Sequence, residues 1–313
     1  MTWPLLRRVG IFLLSVLVAS VAVFALLTVL GDPARTALGT GATDEAVAAL
    51  RTRFGLDRSL VTQYLDWAGG ILHGDFGVSY VSGVPIGPQI ADRLAVTLWL
   101  VAGAVVVSLV VAVPCGVLAA VRRGRPEGTL VSVLSQVGVA VPAFLAGLLL
   151  VTVFAVTLGW LPANGYRVPA QDPGGFLAHM VLPWLSLGLV QGAVLTRYVR
   201  SAVLDELNQD YLRTARSTGL TTMQAVVRHG LRNAALPVLT VLGVQLVTVL
   251  VGAVVVERVF VIPGIGSWLA DSVGRQDLLA VQGIVLVLVV FALAVSFLVD
   301  VAAAALDPRV RRG

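Results

Sequence analysis

The sequence predicts an all-α integral membrane protein with six transmembrane helices and with both termini in the cytoplasm. Its 313 residues are 58% hydrophobic and only 12% charged, about half the charged fraction of an average soluble domain. The mean hydropathy is +0.93. The apolar residues are gathered into long runs, and the arginines are concentrated in alternate connections between them. These features indicate a chain whose main solvent is lipid.

Six runs reach the length of about 20 mostly apolar residues that a helix needs to cross a bilayer. They cover residues 9–30, 94–121, 129–159, 177–196, 235–256 and 279–303. The first run belongs to a predicted N-terminal anchor helix over residues 1–30. The apolar residues 9–30 are more than the roughly 7–15 usual in a cleaved signal peptide, which favours the anchor over that alternative. Pro114, Pro142 and Pro237 lie inside the second, third and fifth runs and are candidate helix kinks.

The arginines predict the orientation of these helices, because cytoplasmic connections carry more positive charge than external ones. The side that holds both termini has Arg7, Arg8, Arg122, Arg123, Arg125, Arg197, Arg200, Arg213, Arg216, Arg228, Arg232, Arg309, Arg311 and Arg312. The opposite side has only Arg167, Arg258 and Arg275 outside the long connection over 31–93. We therefore place both termini in the cytoplasm.

Residues 31–93 form a predicted external loop that contains short amphipathic helices. Thr43 suits the cap of a first helix that ends before Gly55. A second helix is predicted over Ser59–Leu72, with its apolar residues on one face. The sequence leaves open whether this loop meets an external partner or covers the outer ends of the spans.

The connection between the fifth and sixth spans is interpreted as an external loop or gate. Glu257 closes the fifth span, and Pro263, Gly264 and Gly266 interrupt the helix after it. Trp268 suits the membrane interface. Residues 94–313 as a whole are predicted to form a core of five spans.

A polar segment over residues 200–234 joins the fourth and fifth spans on the cytoplasmic side. One helix is predicted from Asp205 to Thr218. Gly219 then suits the residue after the helix, where φ is positive. Thr221 and Gln224 match a capping box, which predicts the start of a second helix.

This second helix presents an apolar pair, Met223 and Val227, beside Arg228. Such a pair on a short cytoplasmic helix suits the docking of a protein. The arginines favour the alternative, a helix that lies on the bilayer surface. The pattern alone leaves both interpretations open.

Several classes of function are disfavoured by what the chain lacks. All 22 basic residues are arginines, so there is no P-loop lysine and no lysine for a Schiff base. Cys115 is the single cysteine and is read as a small buried apolar residue, and no metal site is predicted. Asp300 is the clearest ionisable residue within a span, which disfavours an ion-coupled transporter or channel without excluding one. The sequence has no GxSxG or GxSG stretch, which disfavours an intramembrane serine protease.

Several motifs in order identify a resemblance to a known family. "YLRTARSTGLTTMQAVVRHGLRNAALPVL", over 211–239, resembles the cytoplasmic EAA loop of permease subunits of binding-protein-dependent ABC importers. "LDRSLVTQYLDWAGGILHGDFGVS", "VPAFLAGLLLV", "VVVERVFVIPGIG" and "ALDPRVR" are similar to other signatures of that group. The likeness covers nearly the whole chain and is strongest to the B-type permease of dipeptide and oligopeptide importers.

The resemblance implies a type I importer fold whose EAA loop is a coupling helix seated on an ATP-binding subunit. The coupling residues implied by the match are Arg213, Thr214, Ala215, Gly219, Leu220, Thr221, Met223, Val227 and Arg228. Arg213 and Thr214 depart from the glutamate and alanine of the broad motif.

The resemblance also implies partners and a location. They are a second homologous permease, two ATP-binding subunits that hold ATP and Mg²⁺, and an extracytoplasmic solute-binding protein, all at the bacterial cell membrane. No cofactor is expected in this chain, no catalysis by it, and no nucleic-acid partner. Peptides are the expected solute, and nickel, glutathione or another small solute is the alternative within the family.

Overall fold

The computed structural model describes residues 2–30, 33–38, 42–53, 55–79 and 81–306 of the chain. Within these residues, five single helices are long and apolar enough to cross a membrane. A bent pair of helices provides a sixth crossing when it is counted as one span. The predicted all-α membrane fold is confirmed, with five to six candidate spans among the described residues.

The helices follow one another with short connections and two wide turns of π type. They are α1 (Thr2–Leu30), α2 (Pro33–Leu38), α3 (Asp44–Arg53), α4 (Leu60–Leu72), α5 (Ile86–Val121), α6 (Pro126–Ala140), α7 (Ala143–Leu150), α8 (Pro173–Leu207), α9 (Asp210–Ser217), α10 (Thr222–Ala225), α11 (Leu231–Val259), α12 (Ile265–Gly274) and α13 (Leu278–Leu306). The π-type turns are Val151–Thr157 after α7 and Val226–Gly230 between α10 and α11.

The three prolines proposed as kinks have different outcomes in the backbone. Pro114 and Pro237 lie within helices that continue past them, α5 and α11. At Pro142 the helix is interrupted, and the helical segments Pro126–Ala140 and Ala143–Thr157 differ in direction by 102°. Val141 is extended there, with φ −87° and ψ 120°, because a following proline disfavours the helical region. The third predicted span is therefore a broken pair of helices.

The helices predicted in the external loop are both present. The Thr43 hydroxyl accepts a hydrogen bond of 3.3 Å from the Ala46 amide at the start of α3, and Gly55 has φ +68° after its end. Ser59 caps α4 by accepting a hydrogen bond of 3.2 Å from the Thr62 amide. Local side-chain chemistry therefore determines where these two helices begin and end.

The chain divides into two compact units, residues 1–96 with 263–294 and residues 97–262 with 295–313. In the first unit, Phe24 of α1 packs edge-on against Tyr64 of α4 at a ring separation of 5.5 Å. Ile86, Ile90 and Ile284 form part of a buried cluster in the same unit.

The second unit is built around α8, which packs against α6, α7 and α11. Its buried cluster includes Ala112 and Val117 of α5, Leu195 and Val203 of α8, and Ala234 of α11. Most other helix faces are apolar and exposed in the single chain, as expected for helices that meet lipid or another subunit.

The end of α11 contains an unusual backbone conformation. Val261 has φ +53° and lies just after the last helical turn, where the Ile262 amide donates to the Glu257 carbonyl at 2.8 Å. This is the position at which helices usually place glycine, because a β-carbon is strained there. The side chain of Val261 is 64% exposed, so little packing offsets the strain.

We expect Val261→Gly to stabilise the protein by about 1 kcal/mol, because it removes the left-handed strain at the cost of some chain entropy. Thermal unfolding of the purified protein in detergent measures the change. Val255→Gly, at an exposed position inside α11, is the matched control and should lower the midpoint. A lower midpoint for Val261→Gly would contradict the proposed strain.

Candidate functional site

The cytoplasmic segment over residues 210–230, hereafter the coupling segment, consists of α9, α10 and the π-type turn that follows. The prediction of one continuous helix over 205–218 is wrong, because the helix is interrupted at Asn208 and Gln209. Asn208 ends α8, and Gln209 is extended, with φ −77° and ψ 144°, before α9 begins. The side-chain amide of Asn208 donates a hydrogen bond of 3.2 Å to the Leu204 carbonyl. Such a bond competes with the backbone hydrogen bonds that would continue the helix.

The turn between α9 and α10 has the predicted chemistry. Gly219 has φ +100° one residue after Thr218, the C-cap of α9. The Gln224 amide donates to the Thr221 hydroxyl at 3.3 Å, and the Thr221 amide donates to the Gln224 side chain at 3.0 Å. The capping box is therefore confirmed. The helix that it starts is not separate, because it runs through the π-type turn into the fifth span, Thr222–Val259.

The coupling segment is anchored by a few buried apolar side chains. Leu212 of α9 and Val226 of the π-type turn are completely buried, in the cluster that also contains Val199 and Val203 of α8. Gly230 faces Leu212, and a β-carbon at Gly230 would lie 3.4 Å from its Cδ1 atom. Burial of these side chains packs the coupling segment against the membrane helices α8 and α11.

The residues predicted to couple lie mainly on the opposite, exposed side. Met223 is 36% exposed and Val227 is 56% exposed. The other exposed members of the predicted set are Arg213, Thr214, Gly219, Thr221 and Arg228. Ala215 and Leu220 are partly buried against the anchoring cluster, so they position the segment. The structure thus separates the predicted set into an outward face and a packing face.

A polar network that the sequence does not indicate joins α8, α9 and α11. The Tyr211 hydroxyl of α9 donates to the Glu206 carboxylate at the end of α8, and the Asn233 amide of α11 donates to the same hydroxyl at 3.0 Å. Burial, followed by the hydrogen bond to Glu206, raises the pKa of Tyr211 above its ordinary value of 10.0. The pairs are 5 and 22 residues apart in sequence, so no short motif marks them.

We expect Tyr211→Phe to destabilise the cytoplasmic end of the protein by about 1 kcal/mol at neutral pH, because two hydrogen bonds are lost. The folded-state pKa of Tyr211 is raised, so its contribution is fully present below pH 10 and is lost as the pH rises through the folded pKa. Thermal midpoints of wild type and Tyr211→Phe, measured between neutral and strongly alkaline pH, should therefore converge at high pH. A constant difference across that range would contradict this assignment.

A second site lies in the spans, where Glu257 of α11 is completely buried. The Thr97 hydroxyl of α5 donates to its Oε1 atom at 2.5 Å, and Thr97 is itself 2% exposed. Glu257 lies near the end of α11, where the sequence places the end of the fifth span, and its role in an external loop or gate stays a prediction. The spans are also less free of ionisable groups than predicted, since this carboxyl group joins α5 to α11.

The remaining predicted residues have simpler outcomes. Gly264 is the extended N-cap of α12, Pro263 precedes it, and Gly266 lies inside α12. This part of the predicted loop is thus a helix. The side chain of Asp300 lies outside the described part of the protein. Among the described residues, no group of three or more His, Cys, Asp or Glu side chains is arranged to hold a metal ion.

Comparison with known sequences decides the family. Residues 112–312 match the family described as the binding-protein-dependent transport system inner membrane component. Residues 1–101 match the corresponding N-terminal family of such membrane components. The chain belongs to this family of permeases. It is thus a multi-pass inner-membrane permease subunit of a binding-protein-dependent ABC importer.

Curated relatives of this permease match it along nearly its whole length. The chain is 38% identical over 307 residues, 98% of both proteins, to the glutathione transport system permease protein GsiC of Salmonella typhimurium. It is also 38% identical over 298 residues, 95% of both proteins, to the protein of that name in Escherichia coli K12.

Solved structures show the same fold for the permease at low sequence identity. An inward-facing conformation of the MetNI methionine ABC transporter matches 70% of this chain and 96% of the solved chain. The TM-score is 0.56, and 18% of residues are identical. A second crystal form of that transporter gives a TM-score of 0.54 at 17% identity. This likeness confirms the type I importer fold.

Proposed function

We propose that this permease subunit forms half of the translocation path of an importer for glutathione and other short peptides. The observation that carries the proposal is the 38% identity over 98% of both chains to a glutathione permease. Glutathione is itself a short peptide, so the solute expected from the sequence motifs and the solute named for the relatives share their chemistry. The relatives reported above are named for glutathione and not for nickel.

We further propose that ATP-binding subunits drive the path through the outward face of the coupling segment. Its apolar pair, Met223 and Val227, and the nearby Arg228 give a protein partner both apolar area and charge. The chain has no lysine for a P-loop, so nucleotide chemistry belongs to partner subunits with Mg²⁺. Movement of the coupling segment would displace α8 and α11 through Leu212 and Val226 as a rigid body.

The remaining partners follow from the same argument. A second homologous permease would complete the path and cover part of the exposed apolar helix surface. An external solute-binding protein would supply specificity, because the described spans offer few charged groups for selecting a solute. Family membership gives no support to the ion-coupled transporter.

Uptake into proteoliposomes tests the solute. The full complex, purified with its binding protein, is supplied with labelled glutathione or labelled dialanine outside and ATP inside. ATP-dependent accumulation of glutathione, reduced by excess unlabelled dialanine, is the expected result. ATP-dependent uptake of neither compound would overturn the peptide assignment.

We expect Gly219→Pro to abolish coupling without unfolding the spans. Proline fixes φ near −65°, whereas residue 219 has φ +100°, so the turn between α9 and α10 must be rebuilt. Uptake should fall by about tenfold or more, a loss of about 1.4 kcal/mol of coupling, with an unchanged yield of membrane-inserted protein. Gly83→Pro is the matched control, because Gly83 is also an exposed turn glycine and has φ +69°. Gly274 would not be suitable, because it lies in helix α12. Wild-type uptake by an assembled Gly219→Pro complex would contradict the role of the turn.

A further inference from the structure

The buried pair of Thr97 and Glu257, hereafter the external latch, joins two spans near the external side of the membrane. Thr97 lies at the start of the apolar run 94–121 in α5, and Glu257 directly follows the apolar run 235–256 in α11. Both residues belong to the second compact unit. Because the termini are cytoplasmic, both of these run ends face outward. The external latch therefore lies on the side from which an importer takes its solute.

The hydrogen bond of the external latch is shielded from solvent. Glu257 is 0% exposed, Thr97 is 2% exposed, and the Thr97 hydroxyl donates to Oε1 at 2.5 Å. Leu100, one turn along α5, and Val256, beside Glu257 on α11, are also completely buried. A hydrogen bond is stronger in such apolar surroundings than in water, and its loss leaves a buried carboxyl group with one partner fewer. An ionisable side chain in a span is costly and is therefore a functional candidate.

The cytoplasmic halves of the same two helices meet through apolar side chains. Ala112 and Val117 of α5 and Ala234 of α11 belong to one buried cluster. Apolar contact is non-directional, so it survives a small change in the angle between the helices. A hydrogen bond weakens steeply once donor and acceptor leave the preferred distance and angle. A small tilt of α11 against α5 would therefore break the external latch before it separates the apolar cluster.

One continuous helix links the external latch to the coupling segment. Residues Thr222–Val259 form a single helical span of 38 residues, about 57 Å long at about 1.5 Å per residue. Met223 and Val227, the apolar pair of the outward face, lie at its cytoplasmic end, and Glu257 lies at its external end. Ala234 is nearer the cytoplasmic end, so a tilt about the apolar cluster moves Glu257 farther than it moves the apolar pair.

We propose that the external latch positions α11 against α5 and keeps the external end of the path closed until movement of the coupling segment breaks the bond between Thr97 and Glu257. Both are positioning residues, since neither needs to touch the solute. This inference rests on the proposed function, because nucleotide binding to the ATP-binding subunits supplies the movement. The made bond and the broken bond are the two states of one switch.

Thiol labelling of the full complex measures whether the external latch opens. Val101 lies one turn from Thr97 on the same face of α5 and is 5% exposed, so a thiol at this position is shielded while the latch is closed. The permease that carries Cys115→Ala and Val101→Cys, hereafter the parent protein, is assembled with its ATP-binding subunits in nanodiscs. A charged methanethiosulfonate is added, and mass spectrometry of the permease quantifies the modified thiol. We expect a non-hydrolysable ATP analogue to accelerate labelling by about tenfold or more, within the usual range of coupling between sites.

Substitutions of Thr97 in the parent protein test whether the hydrogen bond controls this opening. Thr97→Val removes the hydroxyl and keeps a branched side chain, so labelling should be fast with and without the ATP analogue. Thr97→Ser keeps the hydroxyl and should label as the parent protein does. Thr196→Val is the matched control, because Thr196 is 3% exposed and its hydroxyl donates to the Gly192 carbonyl of its own helix at 2.7 Å. It should leave the effect of the ATP analogue unchanged.

A bond that only stabilises the fold predicts slow labelling that the ATP analogue does not change. That result in the parent protein would overturn the external latch, even where Thr97→Val fails to assemble. Labelling of assembled Thr97→Val that still depends on the ATP analogue would overturn it as well. Peptide uptake by the parent complex is scored separately. Nucleotide-dependent labelling without peptide uptake overturns the proposed solute and leaves the latch, whereas peptide uptake without nucleotide-dependent labelling overturns the latch alone.

Discussion

Replacing Gly188 with leucine is expected to prevent the second unit from folding. Gly188 lies in α8 where the helix touches α5. A β-carbon there would lie 2.6 Å from Cβ of Val107 and 2.8 Å from the carbonyl oxygen of Ala104. A backbone atom cannot move aside as the end of a side chain can. The glycine therefore permits a helix approach that any larger residue forbids.

The neighbouring contacts increase the expected cost of Gly188→Leu. Gly192, one turn further along α8, also approaches the backbone of α5, with its added β-carbon 3.3 Å from the carbonyl of Ser108. Separating the helices at position 188 would loosen this contact as well. Overpacking usually costs about 1–3 kcal/mol, and the close contact with the Ala104 carbonyl places this change at or above the upper end.

The yield of monodisperse protein in detergent, with its thermal midpoint, measures the effect of Gly188→Leu. Gly10→Leu is the matched control, because no atom lies within 4 Å of a β-carbon at that position of α1. We expect the control to resemble wild type and Gly188→Leu to be lost as aggregate. A folded Gly188→Leu protein with a wild-type midpoint would show that α5 and α8 do not approach as described.

The elements that the sequence predicted well are those with a local physical cause. A run such as 279–303 is long and apolar whatever surrounds it, so its hydropathy alone predicts a span. The turn at Gly219 and the box formed by Thr221 and Gln224 depend on residues within one or two turns. The sequence alone therefore predicts both the turn and the capping box.

The features that the sequence missed depend on residues far apart in the chain. Thr97 and Glu257 are separated by 160 positions, so nothing near Glu257 indicates a buried partner. The Tyr211 network needs α8 and α11 to be placed first. α12 was hidden because Pro263, Gly264 and Gly266 suggest a break, whereas Gly264 only precedes the helix as its cap. The first two features depend on tertiary contacts, whereas α12 was missed because a local proline and glycine pattern suits both a break and the start of a helix.

Val227→Asp is expected to abolish the association of the permease with its ATP-binding subunits while leaving its own fold unchanged. Val227 is 56% exposed on the π-type turn, so an added carboxylate stays in water in the free permease. In the proposed complex the same carboxylate would be buried against a partner, where an unpaired charge is costly. Loss of about 3 kcal/mol at one contact would weaken binding by more than about a hundredfold.

Affinity purification of tagged permease, followed by quantification of the copurified ATP-binding subunits, measures the effect of Val227→Asp. Val61→Asp, at a 69% exposed position of α4 on the predicted external side, introduces the same charge and should leave recovery unchanged. The thermal midpoint of the isolated permease should be the same for both variants. Normal recovery of ATP-binding subunits with Val227→Asp would place the contact elsewhere on the cytoplasmic face. The buried anchors Leu212 and Val226 would then stabilise the coupling segment without transmitting movement through this face.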